Sequence, residues 1–243
     1  MNPIDKFNSE RKKTTARMAR DKRLAKHTHD FLKRSFIHKY SYNFDWMGRP
    51  IIQYPQDIVA MQELIWRVKP DLIIETGIAH GGSLIFYASM LELLGRGTVL
   101  GVDVDIRAHN RREIEKHPMY KRIKMIEGSS TDERTLAQVR STAKRHKRVL
   151  VCLDSLHTGA HVLKELELYA PLVSKGSYCV VFDTLIEELP RTFWKNRPWG
   201  KGDNPKTAVD SFLRKNKNFV VDKEFDKKLL ITVARGGYLK SVQ

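Results

Sequence analysis

From residue 72 onward, short apolar runs alternate with stretches whose apolar residues recur at helical spacing. The apolar runs predict five strands, at 72–75, 98–103, 123–127, 148–154 and 177–182. The stretches between them predict helices at 83–94, 108–116, 132–146 and 160–169. Such alternation is typical of a parallel sheet that is covered by helices on both faces.

The alternation stops after the fifth strand. Residues 184–204 are rich in proline and glycine and too long for an ordinary connection, so we expect a lid or substrate loop there. A helix is predicted over 205–215, followed by apolar runs at 219–221 and 229–233 that indicate an antiparallel hairpin. The predicted fold is α/β and Rossmann-like, with a seven-stranded, mostly parallel sheet closed by this hairpin.

The chain before the sheet has a different character. Residues 1–50 carry 13 basic and 5 acidic side chains, so half of the formal net charge of +16 lies in this segment. Residues 5–40 have a weakly amphipathic helical pattern, and a second helix is predicted over 57–68, with Asp57 near its N-cap. We therefore expect a basic helical arm and connector over 1–56 and the main domain over 57–243.

Composition limits the class of protein. A chain of 243 residues that is 41% hydrophobic can bury one substantial α/β core. No apolar run approaches the ~20 residues that cross a bilayer, and the polar N-terminus lacks a signal-peptide core, so a soluble cytoplasmic protein is expected. Cys152 and Cys179 lie in apolar strand-like runs and are predicted to be buried thiols.

A glycine-rich turn follows the first predicted strand. Glu75 ends that strand, and Gly77, Gly81 and Gly82 precede Ser83 at the start of the next helix. Glycine lets the backbone approach a ligand, and the free N–H groups of a first helical turn face it. The turn is therefore a candidate site for a nucleotide-like or carboxylate-bearing ligand.

Polar residues end all five predicted parallel strands. They are Glu75, Asp103, the pair Ser129 and Ser130, Asp154 and Asp183. A single acid after a strand is often only a turn residue or a helix cap. Five such ends in one sheet, however, converge on the edge where α/β proteins bind ligands.

The type of ligand can be narrowed from the same residues. The glycine spacing is not G-x-G-x-x-G, and an acid at Glu75 suits a cationic amine better than a pyrophosphate. Asp103, 28 residues later, is placed to accept hydrogen bonds from ribose hydroxyls. An adenosyl ligand with an amino-acid tail satisfies both conditions, which indicates S-adenosylmethionine (SAM).

Several blocks of sequence resemble a known family. They are Trp-Met-Gly-Arg-Pro-Ile-Ile-Gln-Tyr-Pro at 46–55, the glycine turn at 74–83, Leu-Asp-Ser-Leu-His at 153–157, Arg-Pro-Trp-Gly at 197–200 and Asn-Pro-Lys-Thr-Ala-Val at 204–209. Together they resemble the cephalosporin hydroxylase family, which includes rhamnosyl O-methyltransferase-like proteins, within the class I SAM-dependent methyltransferases. The resemblance covers nearly the whole chain from Phe44.

The resemblance implies a function and partners. It implies a SAM-dependent O-methyltransferase, assisted by Mg²⁺ or a similar divalent cation, that acts on a hydroxyl of a small molecule. The most plausible acceptor is a sugar or glycan-linked intermediate, as in carbohydrate or lipopolysaccharide biosynthesis. The family also implies a homo-oligomer.

Site residues follow by position in the matched motifs. The cofactor residues would be Glu75, Gly77, Gly81, Gly82 and Ser83 at the methionine end, Asp103 at the ribose, Ser129 and Ser130 near the adenine, and Asp154. The metal ligands would be Asp154 and Asp183. The family usually has two adjacent acids after strand five, whereas this chain has Phe182 before Asp183.

A catalytic base is the remaining requirement. His157, three residues after Asp154, is our candidate, with Asp154 as its catalytic partner, and an unperturbed imidazole pKa lies near the required value. His161 and His80 compete for this role, and His157 could instead cap the following helix. Gln53, Tyr54 and Trp199 are candidate acceptor-binding residues.

Two other functions remain open at this stage. The high positive charge suggests an RNA or other nucleic-acid methyltransferase, although no D/N-P-P-Y/F motif follows strand four. A non-catalytic module that binds an acidic partner through the basic arm is the third possibility, and the loss of an acid at Phe182 favours it.

Overall fold

The structure is a computed structural model that describes residues 2–243. Within this range the α-helices are α1 (Pro3–Met18), α2 (Lys22–Ile37), α3 (Pro55–Val68), α4 (Gly82–Leu93), α5 (Ala108–Glu115), α6 (Glu133–Ala143), α7 (Gly159–Tyr169), α8 (Pro205–Lys215) and α9 (Lys223–Lys228). The strands are β1 (Asp45–Trp46), β2 (Arg49–Pro50), β3 (Leu72–Thr76), β4 (Thr98–Asp103), β5 (Ile123–Glu127), β6 (Val149–Leu153), β7 (Tyr178–Val181), β8 (Phe219–Val221) and β9 (Tyr238–Ser241).

Strands β3 to β9 form one seven-stranded sheet in the order β5-β4-β3-β6-β7-β9-β8. The first five pair in parallel, while β9 runs antiparallel to both β7 and β8. The order reverses at β3, which lies between β4 and β6, so the carboxyl end of β3 opens onto a crevice. The predicted fold class, with its C-terminal antiparallel pair, is confirmed.

The core lies on both faces of this sheet. Along β3, Ile73 belongs to a cluster with residues of α3 and α4, and Ile74 to a cluster with residues of α6, α7 and α8. Both side chains have no exposed surface. A strand covered on both faces must be apolar at every position, which explains why the parallel strands are continuous apolar runs in the sequence.

The N-terminal segment forms two helices rather than one. The predicted helical stretch at 5–40 is interrupted between α1 and α2, where the Asp21 carboxylate accepts from the backbone N–H groups of Arg23 and Leu24 and caps α2. None of the side chains of α1 is buried, whereas α2 inserts Leu32 into the main core.

Asp57 was predicted to lie near the N-cap of α3, and it lies in the first turn of that helix, three residues after the N-cap. The helix begins at Pro55, with Tyr54 as N-cap, because proline fits the first helical position. Asp57 is 1% exposed, and its carboxylate accepts hydrogen bonds from Thr232 Oγ1 and from the backbone N–H of Val233. Burial raises the pKa of Asp57 to about 7.

The second strand of the C-terminal hairpin is also misplaced by the sequence prediction. Residues 229–233 form no strand, because Asp57 binds Thr232 and Val233, and the carbonyl of Val233 accepts from the N–H of Leu185. The strand partner of β8 is β9 instead, and α9 lies between them. Leu229 and Val233 of this apolar run are thus buried in a loop rather than in a strand.

Residues 184–204 are irregular, as predicted, apart from short 3₁₀ turns at Thr184–Glu188 and Arg191–Trp194. The far end of the segment is anchored. Glu187 accepts from Asn204 Nδ2 at 2.6 Å, and Asp203 Oδ1 accepts from the Gly159 N–H at 2.6 Å. The second bond ties this end to the start of α7.

No helix within residues 2–243 combines the length and apolarity that crossing a bilayer requires. Cys152 and Cys179 are free and buried, as predicted. Burial raises the pKa of both thiols well above the usual range.

Candidate active site

The glycine turn between β3 and α4 packs tightly against the neighbouring strands. Gly77 has φ +89°, and a Cβ built there would lie 2.0 Å from the carbonyl oxygen of Asp154. A Cβ at Gly82 would lie 2.1 Å from the Pro50 carbonyl oxygen. Glycine is required at both positions by close backbone approach, and Gly81, with φ +84°, is the N-cap of α4.

Glu75 lies at the base of this turn and is only 1% exposed. Its carboxylate accepts from Ser83 Oγ at 2.6 Å, so the end of β3 and the first turn of α4 are joined by a side-chain hydrogen bond. Burial, with a contribution from the charge of Asp103, raises the pKa of Glu75 to about 8. A buried carboxylate of this kind has most to gain from a cationic ligand.

Asp103, at the end of β4, holds the same turn from the other side. Its Oδ2 accepts from the Ile78 N–H at 2.7 Å, and its Oδ1 accepts from the Asp105 N–H at 3.1 Å. The structure thus brings Glu75, Gly77, Ser83 and Asp103 together, as the sequence predicts.

A second cluster lies at the ends of β6 and β7. Asp154, His157 and Asp183 each offer a ligand atom within 4.8 Å of the others. His157 Nε2 lies 3.1 Å from Asp183 Oδ2. Although Asp154 partly faces a cavity, burial and the charges of Asp183 and Glu75 raise the pKa of its carboxyl well above the usual range.

This donor set fits a divalent cation. Two carboxylates forced together carry a repulsion that a bound cation relieves, and hard oxygen ligands suit Mg²⁺. Phe182 contributes nothing to the site, because its side chain is 1% exposed and belongs to the hydrophobic core. Two acids and one imidazole are therefore what the strand ends supply.

His157 does not cap α7, since the N-cap of that helix is Thr158. Its ring instead meets the Trp199 ring edge-on, with centroids 4.9 Å apart. His161 lies elsewhere, with Nε2 3.2 Å from both Ser130 Oγ and Ser155 Oγ. Of the three candidate histidines, His157 is the one that contacts the acidic pair.

Ser130 and Ser129 lie after β5, where the adenine was predicted. Ser130 is held twice, by its contact with His161 and through its carbonyl, which accepts from Tyr169 OH at 2.8 Å. Sequence reasoning missed Glu165, which is fully buried and accepts from Ser155 Oγ at 2.7 Å. The spacing of His161 and Glu165, four apart on α7, was the available signal.

Both clusters open into one cavity of about 1070 Å³. Its lining includes cofactor-turn, acidic-cluster and aromatic residues, namely Gly77, Asp103, Ser129, Ser130, Asp154, His157, Asp183, Tyr54, Trp194 and Trp199. The sequence did not predict that Phe36, Ile37, Lys39 and Tyr42 also line it, because no local pattern marks them.

The three candidate acceptor residues are placed differently. Tyr54 and Trp199 line the cavity, and Tyr54 OH is 2.8 Å from Ser35 Oγ. Gln53 does not line it, but is buried with Nε2 3.3 Å from Asp154 Oδ2.

The strand order, the glycine turn and the acids at the strand ends define the class I methyltransferase fold. Residues 38–242 match the family described as Rhamnosyl O-methyltransferase/CmcI. The chain belongs to this family, which confirms the resemblance seen in the sequence.

Individual proteins of this family are similar to the chain over most of its length. The chain is 30% identical over 217 residues to the rhamnosyl O-methyltransferase of Mycobacterium leprae (strain TN), with 83% of this chain and 87% of the relative covered. It is 31% identical over 211 residues to that of Mycobacterium bovis (strain BCG / Pasteur 1173P2), with 83% and 82% covered. A solved CmcI structure with Mg and SAM is similar in fold, with a TM-score of 0.59, 17% identity and 83% and 78% coverage.

Proposed function

We propose that this protein is a SAM-dependent O-methyltransferase, assisted by Mg²⁺ or a similar divalent cation, that acts on a sugar or glycan-linked hydroxyl. One observation carries the proposal. Gly77 and Asp103 on the donor side line the same cavity as Asp154, His157 and Asp183, so a methyl donor and a hydroxyl acceptor can meet in it.

The donor side is supplied by the turn between β3 and α4. Glu75, whose carboxylate accepts from Ser83 Oγ, would pair with the ammonium group of the methionine end. Asp103 keeps the turn in shape through the Ile78 N–H and faces the ribose position. Ser129 and Ser130 line the cavity where the adenine would lie.

The acceptor side is supplied by the ends of β6 and β7. Asp154 and Asp183 would hold the cation, whose chemistry would be to lower the pKa of a bound hydroxyl, and SAM would supply the methyl group. The His157 Nε2–H can donate to Asp183, which fixes the tautomer and leaves Nδ1 as the atom that accepts the hydroxyl proton.

A sugar acceptor is supported by two features. The Mycobacterium leprae and Mycobacterium bovis relatives are rhamnosyl O-methyltransferases. In this chain, Trp194 and Trp199 line the cavity. Their large aromatic surfaces suit packing against the ring of a sugar.

Calorimetry and a methyl-transfer assay test the proposal. The purified protein should bind S-adenosylhomocysteine, and it should transfer labelled methyl groups from SAM to a rhamnoside only when Mg²⁺ or Mn²⁺ is present. Asp154→Asn should abolish turnover, whereas the exposed Asp45→Asn should not. Absence of binding at millimolar ligand would refute the donor assignment, and full activity of Asp154→Asn in chelator would refute the cation assignment.

We also propose that residues 184–204 close over the acceptor. The protein would act in the cytoplasm as a homo-oligomer, and the basic arm would contribute to the subunit contact. Ile4 and Phe7 on α1 support the last point, because they are 56% and 57% exposed. Light scattering of the full chain and of an Ile4→Ser/Phe7→Ser variant tests it, and a monomeric wild type would refute it.

A further inference from the structure

Gln53 has an unusual environment for a glutamine. It lies between β2 and α3, is 7% exposed, and its Oε1 is buried without a hydrogen-bond partner among the described residues. A buried amide oxygen without a partner costs about 1–3 kcal/mol. A bound water molecule or cation relieves such a cost.

The other end of the amide points at the acidic cluster. Gln53 Nε2 is 3.3 Å from Asp154 Oδ2, which is long for a hydrogen bond to a carboxylate. The nitrogen and oxygen of a glutamine amide exchange places by a half-turn of the last side-chain bond. That turn gives up the hydrogen bond from Nε2 and sets an oxygen 3.3 Å from Asp154 Oδ2, so it is favourable only when a cation binds both oxygens.

This distance has a meaning for a metal site. Neighbouring ligands on octahedral Mg²⁺ are about 3 Å apart, since each lies ~2.1 Å from the ion. The distance from a Gln53 oxygen at this position to Asp154 Oδ2 is therefore close to the distance between two adjacent ligands of one Mg²⁺ ion. Amide oxygens are hard donors and belong to the usual ligand set of Mg²⁺ and Mn²⁺.

The strand ends also leave room for such a ligand. Phe182 is turned into the hydrophobic core, so the end of β7 offers Asp183 alone. Mg²⁺ takes six ligands, so positions remain for waters, for the acceptor and for an oxygen from a different part of the chain, while His157 stays free as a base.

We propose that Gln53 is a ligand of the cation site, through Oε1, together with Asp154 and Asp183, and does not bind the acceptor. The inference rests on the proposed function, because it assumes a cation at the acidic pair. It assigns a role in metal binding to the segment before α3, which lies 101 residues from Asp154 in sequence.

Binding of Mn²⁺ to the full chain, without SAM or acceptor, tests this assignment. The dissociation constant for Mn²⁺, measured by electron paramagnetic resonance, should be at least about tenfold larger for Gln53→Leu than for the wild type. The Gln53→Glu variant retains an oxygen at this position and should bind Mn²⁺ at least as tightly as the wild type. The number of water molecules on the bound Mn²⁺ should rise by about one in Gln53→Leu.

Gln56→Leu is the matched control, because Gln56 also has a buried amide oxygen without a partner but makes no hydrogen bond to the acidic pair within residues 2–243. It should bind Mn²⁺ as the wild type does. Equal Mn²⁺ affinity in Gln53→Leu and the wild type would overturn the inference. If Gln53→Leu does not fold, weaker binding by Gln53→Glu would overturn it as well. A wild type that binds no Mn²⁺ would instead refute the cation part of the proposed function.

Discussion

The imidazole Nε2 of His157 lies 3.1 Å from Asp183 Oδ2. The two residues come from different elements, since His157 precedes α7 and Asp183 follows β7. The candidate base and a candidate cation ligand are thus in direct contact, and Asp183 can fix the ring orientation of His157. The proposed reaction therefore requires both residues.

His157→Asn should therefore lower kcat by about 10²- to 10⁴-fold, because a positioned base is lost. The KM for SAM should change little, since His157 makes no hydrogen bond to the glycine turn within the described chain. Steady-state kinetics across pH checks this, with His27→Asn, an exposed histidine on α2, as control. An unchanged kcat in His157→Asn would rule out His157 as the base.

The pKa of Glu75 predicts a pH dependence of cofactor binding. With a pKa of about 8, Glu75 is protonated at neutral pH in the free protein. Pairing with the ligand ammonium requires the ionised form, so the affinity for S-adenosylhomocysteine should rise up to about tenfold per unit between pH 6 and 8. Calorimetry of Glu75→Gln should show weaker binding without this slope. A flat profile in the wild type would contradict the assignment of Glu75.

Gly77 and Gly95 offer a matched comparison. Both have positive φ, +89° and +72°, but only a Cβ at Gly77 would clash, whereas Gly95 has no atom within 4 Å of that position. Gly95→Ala should cost about 1–2 kcal/mol of unfolding free energy from backbone strain alone. Gly77→Ala should cost about 1–3 kcal/mol more, because the end of β6 must shift. Urea unfolding measures both, and equal losses would mean that the close approach to Asp154 does not matter.

Asp57 should be important for stability rather than for chemistry. Its carboxylate satisfies Thr232 and the Val233 N–H in the core, so Asp57→Ala leaves buried donors unpaired. We expect a loss of about 2–4 kcal/mol of unfolding free energy. The exposed Asp45→Ala should lose less than about 0.5 kcal/mol. Similar losses in the two variants would show that residues 229–234 are not held by Asp57.

The strands that carry the acids could be predicted because local pattern decides them. β4, β5 and α8 agree with the prediction at both ends, since apolar runs and a proline start specify them. The conformation of residues 229–233 could not be predicted. These residues are kept out of the sheet by Asp57, which hydrogen-bonds Thr232 across 175 residues of sequence. Strand propensity depends on neighbouring residues and cannot predict a hydrogen bond between residues so far apart in sequence.

In the candidate site, too, some residues could be predicted from the sequence and others could not. Glu75, Asp103 and Asp154 each end a predicted strand, so topology alone brings them together. The cavity wall formed by Phe36 and Tyr42, by contrast, depends on how the N-terminal segment folds back over the sheet. No motif in the sequence encodes that packing.

The hydrogen bond from Gly159 to Asp203 has a consequence for evolution. It attaches the C-terminal end of the 184–204 segment to the start of α7, next to His157. Residues 191–199, which include Trp194 and Trp199, are therefore held in place at their C-terminal end. Substitutions within residues 191–199 should therefore reshape the proposed acceptor wall without moving Glu75 or Asp103 on the proposed donor side. In such an arrangement the acceptor could change in evolution while the proposed methyl-donor site stays the same.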